Sequence, residues 1–148
     1  MPTQKLETTH FVLDLAADWS PVETDDPDRY IFESETRDTS LTVSIVHMSE
    51  PFGALEQIAR RFAESRIDAH FSGAQELGWL FEMTEPQIVA RPFGQMVTYE
   101  GRLLAGGRFD FAGLVLPKGI VSIFVESDSA SGQALSKTLS EVASGMEI

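Results

Sequence analysis

The chain has three histidines, His10, His47 and His70, and no cysteine. Imidazole side chains can bind transition metals or transfer protons near neutral pH. Metal-binding histidines usually lie at a fixed local spacing, such as four residues apart on a helix, and these three are scattered. Without cysteine there is no thiolate catalysis and no cysteine-ligated metal. We therefore predict no metal site, no cofactor and no catalytic residue, and we interpret His70 as a cation near the end of a helix.

Carboxylates are the other groups that could do chemistry. Residues 23–28, Glu-Thr-Asp-Asp-Pro-Asp, could form a calcium loop or a solvated turn. Calcium loops usually have a glycine at their sharp bend, and this segment has a proline instead, which favours the turn. Glu100 could pair with an acid on a neighbouring strand, although the sequence does not show which acid. An enzyme with a composite site is therefore our third hypothesis for the function.

The charge of the chain limits its partners. Its 148 residues include 23 acidic and 11 basic side chains, which gives a net charge of −12. Nucleic acid and anionic lipid repel such a surface, because phosphate binding depends on lysine and arginine. No stretch approaches the roughly 20 apolar residues of a membrane-spanning helix, and no secretory signal opens the sequence. We predict one cytoplasmic domain, residues 1–148, with a protein partner, no nucleic acid and no membrane insertion.

The periodicity of apolar residues predicts which elements position these groups. A helix is predicted at 54–70, where Leu55, Ile58, Ala59 and Phe62 recur at the spacing of one buried face. A second helix is predicted at 131–145, which Asp128, Ser129 or Ser131 can cap. Alternating or continuous apolar runs predict strands at 11–15, 30–34, 41–46, 78–83, 87–90 and 120–125.

The clearest local structure is a β-hairpin of residues 96–104 and 108–116. Gly106 and Gly107 between them supply the positive φ angles that tight turns require. A two-residue turn there would put Leu104 opposite Phe109 and Arg102 opposite Phe111. On the other face, Tyr99 and Leu103 would then lie with Ala112, Leu114 and Leu116.

These elements predict an α+β domain. The strand at 120–125 is apolar on both faces, which is typical of a central strand with a layer on each side. We expect a three-layer α/β/α sandwich with a central, mostly antiparallel six- to seven-stranded sheet and two main helices. Because open sheets leave edge strands, we also expect a symmetric homodimer.

Three aromatic residues are candidates for partner binding. Trp79 and Phe81 share one face of a predicted strand, and Phe93 lies in a Pro-Phe-Gly turn. They can pack in the core, or they can line an open sheet face as an apolar patch that binds another protein. If all three are buried, we expect recognition to lie on the acidic loop at residues 23–28 instead.

The order of elements resembles a known superfamily. An apolar strand at 11–15, Asp18-Trp19, a strand at 41–45 and the hairpin at Gly106-Gly107 are similar to the PsbP-like and DcrB-like proteins, which include chaperones of Rhs-type secreted effectors. The resemblance covers most of the chain and leaves the subfamily open. It implies a non-enzymatic binding protein.

The resemblance and the missing active site together favour a non-catalytic cytoplasmic binding protein. The leading hypothesis is an adaptor or chaperone for an apolar segment of a secreted effector. The alternative is a small acidic immunity-type protein or secretion chaperone that caps a basic partner.

Overall fold

The structure is a computed structural model that describes residues 3–48, 54–77, 81–104 and 106–148. Within these residues the chain forms eleven strands and two helices. Five strands come first: β1 (Thr3–Glu7), β2 (Val12–Ala16), β3 (Ser20–Val22), β4 (Arg29–Ser34) and β5 (Thr39–His47). After helix α1 (Leu55–Leu77) come β6 (Phe81–Met83), β7 (Gln87–Arg91), β8 (Gly94–Leu103), β9 (Arg108–Leu116) and β10 (Gly119–Ser127). Helix α2 (Gly132–Ser144) and β11 (Met146–Glu147) follow.

The strands form two antiparallel sheets. The main sheet has eight strands in the order β3-β4-β5-β10-β9-β8-β6, and β7 also pairs with β8. The small sheet has the order β1-β2-β11. Helix α1 lies on one face of the main sheet, while α2 and the small sheet lie on the other. The predicted α+β class is confirmed, and so are the antiparallel sheet and the two main helices. The main sheet has more strands than the six or seven expected.

The two faces of the main sheet carry different cores. On one face α1 brings Ala59 and Ala63 against Val97 and Val115, and these short side chains let the helix approach the sheet closely. Beside them lies an aromatic cluster of Tyr99, Phe109 and Phe111 with Phe62, Phe81, Met83 and Phe124 around it. On the other face the core joins strands, α2 and the small sheet through Leu13, Leu15, Leu41, Val43, Leu114, Ile123, Leu135 and Leu139. The apolar strand β10 is therefore covered differently on its two sides.

The hairpin of β8 and β9 is present, but the predicted register is wrong. Gly101 lies opposite Phe109 and Tyr99 opposite Phe111. The last pair is Arg102 with Arg108, so the connection is longer than a two-residue turn. The shift is an odd number of residues, which moves Tyr99 to the face of α1 and away from Leu114. Gly106 and Gly107 do adopt positive φ angles of 115° and 97°.

The helices differ from their predicted bounds mainly at one end. α2 begins as expected: Ser131 is its N-cap, and the Ser131 hydroxyl accepts a hydrogen bond from the Ala134 N–H. α1 continues to Leu77, seven residues beyond its predicted end at residue 70. It runs through Gly73, which costs about 1 kcal/mol relative to alanine but does not stop a helix. Neither helix in the described ranges is long and apolar enough to cross a membrane.

The edges of the main sheet are short. At one edge β3 has three residues, and one of them is Pro21. At the other edge β6 and β7 have three and five residues, and Pro86 lies between them. Short edges interrupted by proline give a second chain little backbone to pair with. The homodimer stays a prediction, and the edges of the main sheet offer it little backbone for strand pairing.

Candidate functional site

Helix α1 covers only part of its face of the main sheet. It packs on β7, β8 and β9. It also reaches β10, where Ile120 packs with Ala59 and the His70 ring lies 6.2 Å from that of Phe124. Among the described residues nothing comparable packs on the same face of β3, β4 and β5. We call this region, together with Ser122 of β10, the open half-sheet, and its half-buried residues are Ile31, Ser40, Thr42, Ser44 and Ser122. Most of them carry hydroxyl groups.

The open half-sheet follows from the alternation in β5. Leu41, Val43 and Ile45 are buried towards α2, and the residues between them face the other way. Strict alternation of apolar and polar residues is typical of a strand with one solvent-facing side. Ser40, Thr42 and Ser44 face outward, so this surface offers hydrogen-bond donors and acceptors beside the exposed side chains of Val22 and Val46.

A groove of about 440 Å³ lies at one end of the open half-sheet. Five carboxylates line it, and we call it the acidic groove: Glu33, Glu35, Asp38, Glu126 and Asp128. Glu33 and Glu126 flank Ser40 on neighbouring strands, so both belong to the same row of the sheet. The guanidinium of Arg108 also lines the groove, and Leu103 and Phe109 form an apolar part of its wall.

The electrostatics of the acidic groove favour a cation. Burial raises the pKa of the Glu126 carboxyl, and the nearby charge of Asp128 raises it further. A carboxylate in this situation is stabilised by a positive group beside it. Asp38 is fixed at the groove wall, because the Ser127 hydroxyl donates to its carbonyl at 2.5 Å and the Ser129 hydroxyl donates to its carboxylate.

A second cleft of about 310 Å³ lies beside the start of α2. Here Glu100 lies directly opposite Asp110 on β8 and β9, which identifies the acid that the sequence left open. Asp110 is buried and accepts a hydrogen bond from the Ser136 hydroxyl at 2.9 Å. Burial raises the pKa of Asp110, and Glu100 adds to the effect. This pair can hold a proton, and it is where a composite acid–base site would lie.

The acidic loop at residues 23–28 forms an exposed turn. The Asp26 carboxylate accepts a hydrogen bond from the Asp28 N–H at 2.9 Å, and the Thr24 hydroxyl accepts one from the Asp26 N–H at 3.3 Å. These are the side-chain to backbone bonds that stabilise turns. They support the solvated turn over the calcium loop.

Two of the scattered histidines meet in the structure. His10 Nε2 lies 2.9 Å from His47 Nδ1, and His47 Nε2 lies 2.8 Å from Asp28 Oδ1. We call His10 and His47 the histidine pair. Burial and the neighbouring His47 lower the pKa of His10, and Asp28 partly opposes this. In the described part of the chain, no group of three or more histidine and acidic side chains is arranged to hold a metal.

The third histidine is not the helix-end cation that we predicted. Because α1 continues to Leu77, His70 lies inside the helix and points into the aromatic cluster. Its ring stacks on Phe109 at 4.9 Å, and its Nε2 lies 2.8 Å from Tyr99 Oη, to which Arg66 also donates. Burial, with a smaller contribution from Arg66, lowers the pKa of His70 to about 4. The ring is therefore neutral at physiological pH.

The neutral state of His70 predicts acid sensitivity. The unfolded chain takes up a proton here near pH 6.5, while the folded chain does so only near pH 4. Stability is therefore lost as pH falls through this window. We expect a loss of roughly 1–2 kcal/mol after allowing for solvent screening of a half-exposed ring. Urea unfolding at pH 7 and pH 4.5 measures it, and His70→Gln should remove this part of the pH dependence. An identical pH dependence in the variant would contradict the assignment.

The three predicted partner-binding residues do not form one patch. Trp79 lies outside the described residues. Phe81 is half-buried at the edge of the aromatic cluster, and its ring lies 4.9 Å from that of Phe71. Phe93 lies in the turn between β7 and β8 and packs against the core on the α2 face. Phe81 and Phe93 are thus on opposite faces of the sheet, and neither is on the open half-sheet.

Comparison with known proteins supports the fold. No protein-family model matches the chain, and no curated protein matches it. Among solved structures, the chain is similar to the solution structure of cyanobacterial PsbP (CyanoP) from Synechocystis sp. PCC 6803. The TM-score is 0.69 at 16% sequence identity, over 99% of this chain and 92% of that one. The chain therefore has a PsbP-like fold, as the sequence predicted. A likeness at this identity establishes the fold and not the activity.

Proposed function

We propose that this chain is a non-catalytic binding protein that holds a basic segment of a protein partner. The acidic groove is the observation that carries the proposal. Five carboxylates and one guanidinium line it, and it opens onto a sheet face that the described residues leave uncovered. A segment rich in lysine or arginine is the occupant that this charge fits. A second copy of the chain, with its net charge of −12, would bring further acidic charge to the groove and so fits it less well than a basic segment.

The open half-sheet supports the same kind of partner. Hydroxyl groups on Ser40, Thr42 and Ser122 can exchange hydrogen bonds with the peptide groups of an extended segment. Complementary charge raises the association rate and orients the segment, while the uncharged hydrogen bonds keep it bound. Immunity proteins and secretion chaperones that cap basic partners need such a surface, and we propose one of these roles for a cytoplasmic protein.

A synthetic peptide tests the proposal. The probe is a fluorescent peptide of alternating lysine and serine, and the measurement is its anisotropy at low ionic strength. The variant Glu33→Gln/Glu126→Gln/Asp128→Asn removes three groove charges. We expect it to bind the peptide about tenfold more weakly than the native chain, or about 1.4 kcal/mol. The corresponding peptide of glutamate and serine should not bind.

A matched control separates the groove from the overall charge. The variant Glu23→Gln/Asp25→Asn/Asp26→Asn removes three charges from the exposed loop and leaves the groove intact. We expect it to bind the lysine peptide nearly as well as the native chain. Equal weakening by both variants would mean that only net charge matters. A larger effect of the loop variant would place recognition on residues 23–28, and either result would exclude the acidic groove.

A second candidate is the adaptor or chaperone for an apolar segment of a secreted effector. Phe71 favours it, because this side chain is 54% exposed and lies against Phe81. Exposed aromatic pairs are common anchors for apolar segments. A fluorescent peptide of alternating lysine and leucine tests it. If this patch is used, Phe71→Ala weakens binding of the leucine peptide and leaves binding of the serine peptide unchanged.

A further inference from the structure

We propose that the second cleft binds a small zwitterion whose ammonium and carboxylate groups are as far apart as the two ends of a dipeptide. The volume of the cleft, about 310 Å³, is enough for a molecule of this size. The cleft lies beside α2 and shares only Arg108 and Phe109 with the acidic groove. It uses none of the five groove carboxylates, so the proposal does not depend on the proposed function.

Two pairs of like charges lie next to each other on the hairpin of β8 and β9. Glu100 is opposite Asp110, and Arg102 is opposite Arg108. The backbone N–H and C=O of Glu100 both bond to Thr84, at 3.0 Å and 2.9 Å, so they point away from β9. Glu100 and Asp110 are therefore a non-hydrogen-bonded pair, in which the Cα atoms are about 4.5 Å apart. The arginines, two residues along each strand, form a second pair of this kind, and like charges at such positions repel.

The spacing of the two pairs sets the length of the ligand. Residues two positions apart in a strand are on the same face and about 6.7 Å apart. An extended dipeptide spans about 7 Å. Its ammonium end can therefore lie over the carboxylate pair while its carboxylate end lies over the arginine pair. A single amino acid spans about half of this distance.

The carboxylate pair lacks a cation. Among the described residues, neither Glu100 nor Asp110 forms an ion pair. Asp110 is 8% exposed, and its carboxylate accepts hydrogen bonds from the Ser136 hydroxyl at 2.9 Å and the Phe111 N–H at 3.1 Å. An ionised carboxylate can accept about four hydrogen bonds, so Asp110 keeps lone pairs for a ligand ammonium group. A positive charge between the two carboxylates would offset both their burial and their mutual repulsion.

The arginine pair provides a partner for the ligand carboxylate. Arg102 already pairs with Glu82 at 3.0 Å, whereas Arg108 forms no ion pair within the described part of the chain. The Arg108 guanidinium lies beside the first turn of α2, since a Cβ added to Gly132 would be 3.1 Å from its Nη1. A carboxylate beside Arg108 gains charge-assisted hydrogen bonds, and the positive end of the helix favours it further.

Titration of the isotope-labelled full chain with L-alanyl-L-alanine, followed by amide NMR spectra, tests the proposal. We expect the largest shifts at Glu100, Asp110 and Gly132. Asp110→Asn and Arg108→Gln should each weaken binding about tenfold or more. The asparagine oxygen can still accept from the Ser136 hydroxyl, and Arg108 is exposed, so we expect both variants to fold. The dispersion of the same spectra shows whether they do.

Matched ligands separate the contributions of charge and length. The N-acetylated dipeptide lacks the ammonium group, the dipeptide amide lacks the carboxylate, and L-alanine is too short. We expect each of them to bind about tenfold more weakly than the dipeptide. The groove variant Glu33→Gln/Glu126→Gln/Asp128→Asn is the matched protein control, and it should bind the dipeptide as the native chain does.

Several results would contradict the site. No shift at the highest soluble dipeptide concentration would mean that the cleft is empty in solution. Unchanged binding in a folded Asp110→Asn or Arg108→Gln variant would remove one of the two charge contacts. Weaker binding in the groove variant would place the dipeptide in the acidic groove. Equally tight binding of the acetylated dipeptide, the amide or alanine would mean that the cleft does not recognise both ends of the zwitterion.

Discussion

Replacing Phe111 by alanine is expected to lower the free energy of unfolding by about 3–5 kcal/mol. The Phe111 ring is 1% exposed, stacks on Tyr99 at 4.6 Å and lies 5.9 Å from the ring of Phe62 on α1. Removing it leaves a cavity between α1 and the sheet. The neighbouring side chains cannot fill it, because the backbones of the helix and the strands hold them in place. Urea or thermal unfolding at neutral pH measures the loss.

Phe71→Ala is the matched control for this prediction. It removes the same side chain from the same face of the molecule, where 54% of the residue is exposed. We expect it to change stability by less than about 1 kcal/mol. If the two variants lost similar amounts of unfolding free energy, the buried Phe111 ring would contribute no more than the exposed Phe71 ring. The packing described for α1 would then be wrong.

Replacing Arg37 by methionine is expected to cost about 2 kcal/mol. Arg37 Nε lies 2.7 Å from Asp18 Oδ2, Arg37 Nη1 lies 2.7 Å from Glu141 Oε2, and the guanidinium lies over the Trp19 ring. The pair with Asp18 is three-quarters buried and holds the pKa of that carboxyl well below its usual range. Methionine keeps the packing on Trp19 and leaves Asp18 without its cation. Urea unfolding at neutral pH gives the difference.

Arg102→Met provides the comparison for an exposed ion pair. Arg102 lies 3.0 Å from Glu82 on the neighbouring strand, and both side chains are at least half exposed. Exposed ion pairs contribute about 0–1 kcal/mol, so this variant should be close to the native chain in stability. If Arg37→Met were equally mild, the link that Arg37 makes between the start of β5 and α2 would not stabilise the fold.

The elements of this fold could be predicted because they depend on local patterns. The alternation in residues 41–46 and the recurrence of Leu55, Ile58 and Ala59 reflect burial on one face. β1 was missed, since Thr3–Glu7 has a single large apolar residue. The hairpin register was wrong because the length of the connection, and not the presence of glycine, sets which residues face each other.

The candidate sites depend on contacts between distant parts of the chain. His10 and His47 meet only because the loop before β2 lies beside the end of β5. The spacing of the two histidines along the sequence does not predict this contact. Glu33 and Glu126 share a row because β4, β5 and β10 are neighbours in the sheet. The opposite position of Glu100 and Asp110 needs the hairpin register. A correct register would have been enough to predict that pair.

Along β5, residues that affect the stability of the fold alternate with residues that affect only its surface. Substitutions at Leu41, Val43 and Ile45 act on stability, because these side chains fill the core. Substitutions at Ser40, Thr42 and Ser44 change a surface that the described residues leave uncovered, at little cost to folding. If that surface holds the partner, related chains can acquire different partners by changes at every second residue while the fold stays the same. Sequence divergence among such chains would then be greatest at these outward positions, immediately beside the least variable ones.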